Sequence, residues 1–243
     1  MRLWYLFKKE ISQILFSGAT YALVGLVWMI FAIYFRSSIL PASQGDLSLM
    51  TLLAARHALA IQMFLIPIQT MRAIADEKRT GTFEMLVTAP VRDHEVVLAK
   101  FFSILLWNTA IWLVLPVMGL LMMLANGQPD FGPILVATFG IVTTGALLIA
   151  LGLMASALTR HVALAGFLAV VFCIVVTLVP SLWGYVPESM QNLRSVLAHS
   201  DLGQQMDQAG RGILDLVHLT YRLAFAAFFL LMTVRLLELR KWA

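Results

Sequence analysis

The sequence predicts an all-α integral membrane protein with six transmembrane helices and both termini in the cytoplasm. Of its 243 residues, 60% are hydrophobic and only 12% are charged, against about 25% charged in an ordinary soluble domain. The apolar residues form long runs, and a transmembrane helix needs about 20 of them. Composition therefore excludes a single soluble domain. It also excludes a disordered chain, which requires low hydrophobicity and high net charge.

Six runs with few or no charges mark the predicted spans. The first is the clearest, because residues 11–35 contain no charged side chain. The second contains Arg56 near one end, and the sixth carries Asp215, His218 and Arg222 in its first half. We treat residues 1–243 as one transmembrane domain with spans at about 17–36, 51–72, 98–125, 133–159, 162–182 and 213–235.

The distribution of lysine and arginine predicts the orientation, because cytoplasmic loops are enriched in both. With the N-terminus in the cytoplasm, 12 of the 17 basic residues lie inside, including every lysine. The five outside are Arg36, Arg56, Arg194, Arg211 and Arg222.

The N-terminal residues 2–16 predict an interfacial helix that precedes the first span. Its apolar face would carry Trp4, Phe7, Ile11 and Ile14, and its basic face Arg2, Lys8 and Lys9. Such a helix lies among lipid headgroups with its basic face towards anionic lipid, so membrane lipid is a predicted partner. The alternative is a first span that simply starts early.

The sequence lacks residues and motifs that several classes of membrane protein need. The central thirds contain no Asp or Glu, whereas an ion-coupled carrier generally needs an intramembrane carboxylate. Neither HExxH nor a Cys/His cluster occurs, Cys173 is the only cysteine, and no nucleotide-binding P-loop is present. We therefore expect no catalytic, cofactor-binding or metal-binding residue, and any energy for transport must come from another polypeptide.

Arg222 is the nearest approach to a charge buried in the membrane. It could make a polar contact that lines a translocation path. Alternatively, it could extend towards the outer surface or pair with Asp215.

Two further patterns leave alternatives open. Thr138, Gly145, Gly152 and Thr159 recur every seven residues in the fourth span, a stripe that permits close helix packing within the chain or at a subunit seam. The outer segment 180–212 fits either a connector lying on the surface, with a short amphipathic helix, or a substrate gate.

The cytoplasmic segment 72–100 is the most informative loop. It carries five basic and five acidic residues, and this balance suits a protein partner better than lipid or nucleic acid. Thr80, Gly81 and Thr82 predict a helix start with Glu84 in the first turn, and Pro90 predicts its end. The exposed apolar face of this helix would be formed by Phe83, Leu86 and Val87. Alternatively, the segment is the tip of a helical hairpin that packs on its own bundle.

At this loop and at the C-terminal end the sequence resembles a known family. Residues 71–101 read MRAIADEKRTGTFEMLVTAPVRDHEVVLAKF, and residues 211–243 read RGILDLVHLTYRLAFAAFFLLMTVRLLELRKWA. Both resemble type 2 ABC transporter permeases, in the branch that includes the gliding-motility permease.

The resemblance implies a permease subunit of the bacterial cytoplasmic membrane, most simply in an exporter. It implies a separate ATP-binding subunit, which holds the ATP and Mg, and a second permease subunit that is identical or different. Residues 2–16 would be the elbow helix, and residues 76–90 would contain the coupling helix, with Phe83, Leu86 and Val87 inserted into the ATPase. The polar rim would consist of Glu77, Lys78, Arg79 and Glu84.

Two other classes compete with this hypothesis. A membrane scaffold could use the same loop to dock a cytoplasmic partner for motility or surface assembly, without transport. An intramembrane enzyme would need a solvent-reachable catalytic pair within the spans, and the sequence offers none.

Overall fold

A computed structural model of the chain describes residues 2–39, 47–81, 92–124 and 129–239. Within these residues the chain forms two 3₁₀ turns, Leu182–Tyr185 and Glu188–Met190, and eleven α-helices. The helices are α1 (Arg2–Leu15), α2 (Gly18–Ile39), α3 (Leu47–Thr70), α4 (Ala75–Thr80), α5 (Asp93–Trp112), α6 (Val114–Leu124), α7 (Phe131–Leu158), α8 (Val162–Ser181), α9 (Gln191–Ser200), α10 (Leu202–Gly210) and α11 (Leu216–Leu239). The all-α class is confirmed.

Long helices overlap the predicted spans, and four or five helical stretches qualify as membrane-crossing. Four helical stretches in the described residues are long and apolar enough to cross a bilayer: Ala54–Thr80, Asp93–Leu124, Phe131–Leu158 and Val162–Tyr185. A fifth is obtained if Trp4–Leu15 and Thr20–Ile33 count as one bent span. The architecture is that of a multi-pass membrane protein, while six spans and the orientation stay predictions.

The N-terminal residues form a helix of their own. Helix α1 ends at Leu15 and α2 begins at Gly18, and the axes of the two helices differ by 66°. Helix α1 packs against α5, and Ile14 contacts the apolar core. Residues 2–15 therefore form either a separate helix or the first half of one span that bends before Gly18.

Helix α7 is the centre of the bundle. Helices α3, α5, α6, α8, α10 and α11 all pack against it. Small side chains permit this, most clearly at Gly152, where an added Cβ would overlap the side chain of Thr70 on α3. The interpretation of the small-residue stripe as packing within the chain is therefore confirmed for Gly152.

The third predicted span is not one continuous helix. Helix α5 begins at Asp93, earlier than predicted, and ends at Trp112, while α6 starts at Val114. Pro116 has no N–H to donate to the carbonyl of Trp112, so the helical hydrogen-bond ladder is interrupted at this turn.

Candidate functional site

Helix α4 is the part of the predicted docking loop that the structure describes. Its first turn carries Asp76 and Glu77 and its last turn Lys78 and Arg79, an order that complements the helix dipole. Gly81 ends the helix in the left-handed region, at φ 74°, which glycine adopts without steric strain.

Thr80 and Gly81 end α4, because the left-handed backbone of Gly81 stops this helix from continuing, and the predicted helix that would start after them lies outside the described residues. The remaining predicted docking residues fall outside the described residues, namely Thr82, Phe83, Glu84, Leu86, Val87 and Pro90.

Ser156 of α7 fixes the turn between α3 and α4. Its buried hydroxyl oxygen accepts hydrogen bonds from the backbone N–H groups of Ile74 and Ala75, at 3.1 and 3.0 Å. The hydroxyl also donates to the carbonyl of Met71 at 3.1 Å. One side chain thus satisfies three backbone groups at the entry to α4, in a place where unpaired groups would be expensive.

The charged side chains of α4 divide between the bundle and its surface. Lys78 donates a hydrogen bond to the carbonyl of Ala157 on α7. Arg79 instead pairs with Asp76 at 2.8 Å, and both side chains are substantially exposed. Of the predicted polar rim, Arg79 therefore lies at the surface, whereas Lys78 ties α4 to α7.

Lys100 forms a buried ionic cluster beneath α4. Its side chain is only 3% exposed, and its ammonium group lies 2.6 Å from Glu77 on α4 and 3.0 Å from Glu10 on α1. The cluster joins three helices. Glu77, predicted as part of a rim facing a partner, is directed inward, where it helps to offset the large desolvation cost of the buried lysine.

The predicted elbow helix meets the docking loop through this cluster. Trp4 and Phe7 stack with ring centroids 5.6 Å apart, Trp4 is largely exposed, and Lys8 and Lys9 are exposed on the same helix. Glu10, which the sequence analysis did not single out, forms the connection to Lys100.

Arg222 lies at a second polar cluster, on α11. It is 5% exposed and donates from Nε to the Gln205 amide oxygen at 2.8 Å. Its Nη1 donates to the Gly140 carbonyl at 3.0 Å and the Thr143 hydroxyl at 2.9 Å. Among the described residues, no carboxylate pairs with it.

The alternative interpretation of Arg222, an extension to the outer surface or a pair with Asp215, is therefore wrong. Asp215 instead lies 3.9 Å from His218. The guanidinium turns inward because three neutral oxygens from α7 and α10 converge on it.

Segment 180–212, which the sequence predicts to lie outside, is only partly a surface connector. Helix α9 is exposed, as expected for the amphipathic helix. Helix α10 instead packs against α3 and α7, with Leu202 and Met206 fully buried. Two polar contacts hold it there, one between Arg56 and Asp207 at 2.5 Å and one from the Thr51 hydroxyl to the Gly210 carbonyl at 2.7 Å.

Three contacts of the two polar clusters and the α4 anchor were not predicted from the sequence, namely those of Ser156, Glu10 and Gln205. Each acts on a group at least 17 positions away in the chain. A local sequence pattern therefore carries no signal of these pairings. The start of α10 does have a local signal, because Asp201 caps this helix by accepting a hydrogen bond from the Gly203 N–H at 2.9 Å.

Comparison with known families agrees with this architecture. The model of the ABC-2 family transporter protein matches residues 4–238, which is nearly the whole chain. The sequence matches no curated protein. Members of this family are transmembrane permease subunits that generally work with an ATP-binding subunit. On this match, and on the bundle of long apolar helices around α7, the chain belongs to the ABC-2 family of transporter proteins.

Proposed function

We propose that this chain is the permease subunit of an exporter in the bacterial cytoplasmic membrane, driven by a separate ATPase. The ATPase would dock at residues 79–90, since Glu77 and Lys78 face the bundle, and ATP and Mg would bind in that partner, with no catalytic site in this chain. A second permease subunit would complete the path. We also propose that the chain belongs to the gliding-motility branch.

The observation that supports coupling is the attachment of α4 to the bundle. Ser156 and the Ala157 carbonyl hold α4 against α7, and the Glu77–Lys100 pair holds it against α5. Interiors packed in this way transmit displacement because they deform little. A push on the segment after Gly81 would therefore reach α3, α5 and α7 together.

Docking is tested by capture of the partner from native membranes. The chain with Phe83→Ala and Glu84→Lys should lose a P-loop ATPase that the unchanged chain retains. Undiminished ATPase binding and transport by this variant would contradict the docking hypothesis. If no ATPase is captured by the unchanged chain in several mild detergents, the scaffold hypothesis takes its place.

Transmission is tested separately with Ser156→Ala. The variant should still bind the ATPase, because the docking residues are intact, but ATP hydrolysis should no longer drive transport efficiently. Ser103→Ala is the matched control. Ser103 is also buried, but its hydroxyl donates to the backbone carbonyl of Lys100, one turn earlier in the same helix, and so joins no second helix. Equal coupling in the two variants would contradict a role for the α4 anchor.

A further inference from the structure

Arg222 is a buried cation whose charge is not balanced within the part of the chain that the structure describes. Its side chain is almost fully buried, and its hydrogen bonds go to neutral oxygens of Gly140, Thr143 and Gln205. Lys100, which is also buried, faces two carboxylates. Arginine keeps its proton in proteins, and a buried charge without a counter-charge is costly. The surroundings of Arg222 therefore favour an anion.

The guanidinium of Arg222 also has hydrogen-bond donors to spare. A guanidinium carries five N–H groups, and the three hydrogen bonds of Arg222 use Nε and Nη1. No described residue accepts a hydrogen bond from Nη2. This nitrogen is not one of the buried polar atoms that the bundle seals off. The donors of Nη2 are therefore within reach of an acceptor that enters from outside.

A small pocket lies against this guanidinium. Its volume is about 20 Å³, whereas one water-sized sphere needs about 10–15 Å³. The pocket therefore has room for a single small ion but not for the headgroup of a lipid. Asp215 in its lining is 41% exposed, so the pocket reaches the surface. The buried polar residues of the lining are Gly140, Thr143, Gln205 and Arg222.

Asp215 is the one carboxylate among the described residues of the lining. Its Oδ1 accepts a hydrogen bond from the Val217 N–H at 2.8 Å, and its Oδ2 lies 3.9 Å from Nδ1 of His218, which also lines the pocket. Both contacts belong to the start of α11. Because water screens a charge that is this exposed, Asp215 neither balances the buried guanidinium well nor strongly repels an anion beside it.

We infer that this pocket binds one chloride ion as the counter-ion of Arg222. The ion accepts a hydrogen bond from Nη2 and supplies the negative charge that the described neighbours lack. A water molecule would accept the same hydrogen bond but would leave the charge unbalanced. The site lies where α7, α10 and α11 meet, and it depends neither on the ATPase nor on the transported substrate.

The experiment measures thermal unfolding of the purified full-length chain in detergent. The added salts are sodium chloride, bromide, acetate and gluconate at equal ionic strength, because an anion that binds the folded chain stabilises it. At about ten times its dissociation constant, chloride should raise the unfolding midpoint by about 3–6 °C, with bromide similar. Gluconate, which is too large for the pocket, should have no such effect, and acetate only a small one.

Two results of this comparison would overturn the inference. An equal response to chloride and gluconate would indicate that the pocket holds water only. An equal response to chloride and acetate would indicate a site for carboxylates and not for a single ion.

Gln205→Glu tests the argument from charge balance. The variant places a carboxylate where the amide oxygen already accepts from Nε of Arg222 at 2.8 Å. Since the chain then supplies its own counter-charge, the stabilisation by chloride should be lost. The variant also gives up the bond from the Gln205 amide nitrogen to the His199 carbonyl, so the response to chloride is compared and not the midpoint itself. A response as large as that of the unchanged chain would overturn the inference.

Arg222→Gln should abolish the response to chloride, and Arg211→Gln is its control. Arg211 is exposed and does not line the pocket, so its loss removes a positive charge without touching the site. A cooperative unfolding transition in gluconate shows that each variant is folded. Equal responses of the two folded variants would overturn the inference.

Asp215→Asn separates chloride from Asp215 as the counter-charge of Arg222. If chloride occupies the pocket, loss of this carboxylate relieves a weak repulsion and should tighten chloride binding by up to about 5-fold. If Asp215 itself balances Arg222, chloride should stabilise only the variant. A chloride response confined to Asp215→Asn would therefore overturn the inference.

Discussion

Lys100 and Arg222 are both almost fully buried, yet Lys100 faces two carboxylates and Arg222 faces only neutral oxygens. The partners of Lys100 come from α1, the predicted elbow helix, and from α4, the described part of the predicted docking loop. The partners of Arg222 come from α7 and α10. The Lys100 cluster therefore joins charged helices at the α4 end of the bundle, and the Arg222 cluster joins α10 and α11 to the central helix α7.

The difference predicts unequal consequences of losing each cation. Without Lys100, two carboxylates remain in a largely buried place with no counter-charge, a strongly unfavourable arrangement. Without Arg222, no charge is left unpaired: the Gly140 carbonyl still accepts from the Thr143 hydroxyl, and only the neutral amide oxygen of Gln205 loses its donor. The ionic cluster should therefore be the more sensitive of the two.

The largest expected effect is that of Lys100→Met. We expect a loss of about 3 kcal/mol in the free energy of unfolding, the lower end for a broken buried pair because Glu10 and Glu77 are partly exposed. Denaturant unfolding of the purified chain in detergent measures this loss.

The triple variant Lys100→Met, Glu10→Gln and Glu77→Gln serves as the control. It should recover most of the lost stability, because no unpaired charge remains. A single variant as stable as the unchanged chain would show that the cluster does not hold the helices together.

A smaller effect is expected for Arg222→Met, about 1–2 kcal/mol in the same measurement, because hydrogen bonds are lost but no charge is left alone. Asp215→Asn is the control. It should not lower the free energy of unfolding through Arg222, because the Asp215 carboxylate lies beside His218 and not beside Arg222. A loss for Arg222→Met as large as that for Lys100→Met would remove the distinction between the clusters.

The smallest effect is expected at the rim of α10. Arg56 pairs with Asp207, but its side chain is 60% exposed, so Arg56→Gln should cost less than about 1 kcal/mol. A double-mutant cycle with Asp207→Asn measures the coupling between the two residues. That coupling should shrink further at high salt, because exposed pairs are screened; a coupling that is large and independent of salt would contradict this assignment.

Much of the fold could be predicted from the sequence, because long runs without charged residues indicate membrane helices. The separate α1 followed from its amphipathic pattern, and the position of Pro116 could have predicted the break between α5 and α6. Helix α10 was harder. Its sequence is mostly polar, and only the i, i+4, i+7 spacing of Leu202, Met206 and Ala209 marked the buried face.

The site was less predictable than the fold. The charges of the docking loop indicated a protein partner, but not that Glu77 faces inward. The contact of Ser156 with Ile74 joins residues 82 positions apart, and that of Arg222 with Gly140 does the same. Such pairings depend on which helices lie next to one another around α7. The periodicity of apolar residues within one segment does not show which helices are neighbours.

The position of the two cations along the chain bears on how the protein assembles. Glu10 and Glu77 precede Lys100, and Gly140, Thr143 and Gln205 all precede Arg222. During synthesis from the N-terminus, the acceptors of each cluster thus emerge from the ribosome before the cation they receive. Neither cation therefore has to wait for a later helix to supply its partners. The reverse holds for the carboxylates of the ionic cluster, since Glu10 and Glu77 are made before Lys100 and stay without it until that residue is added.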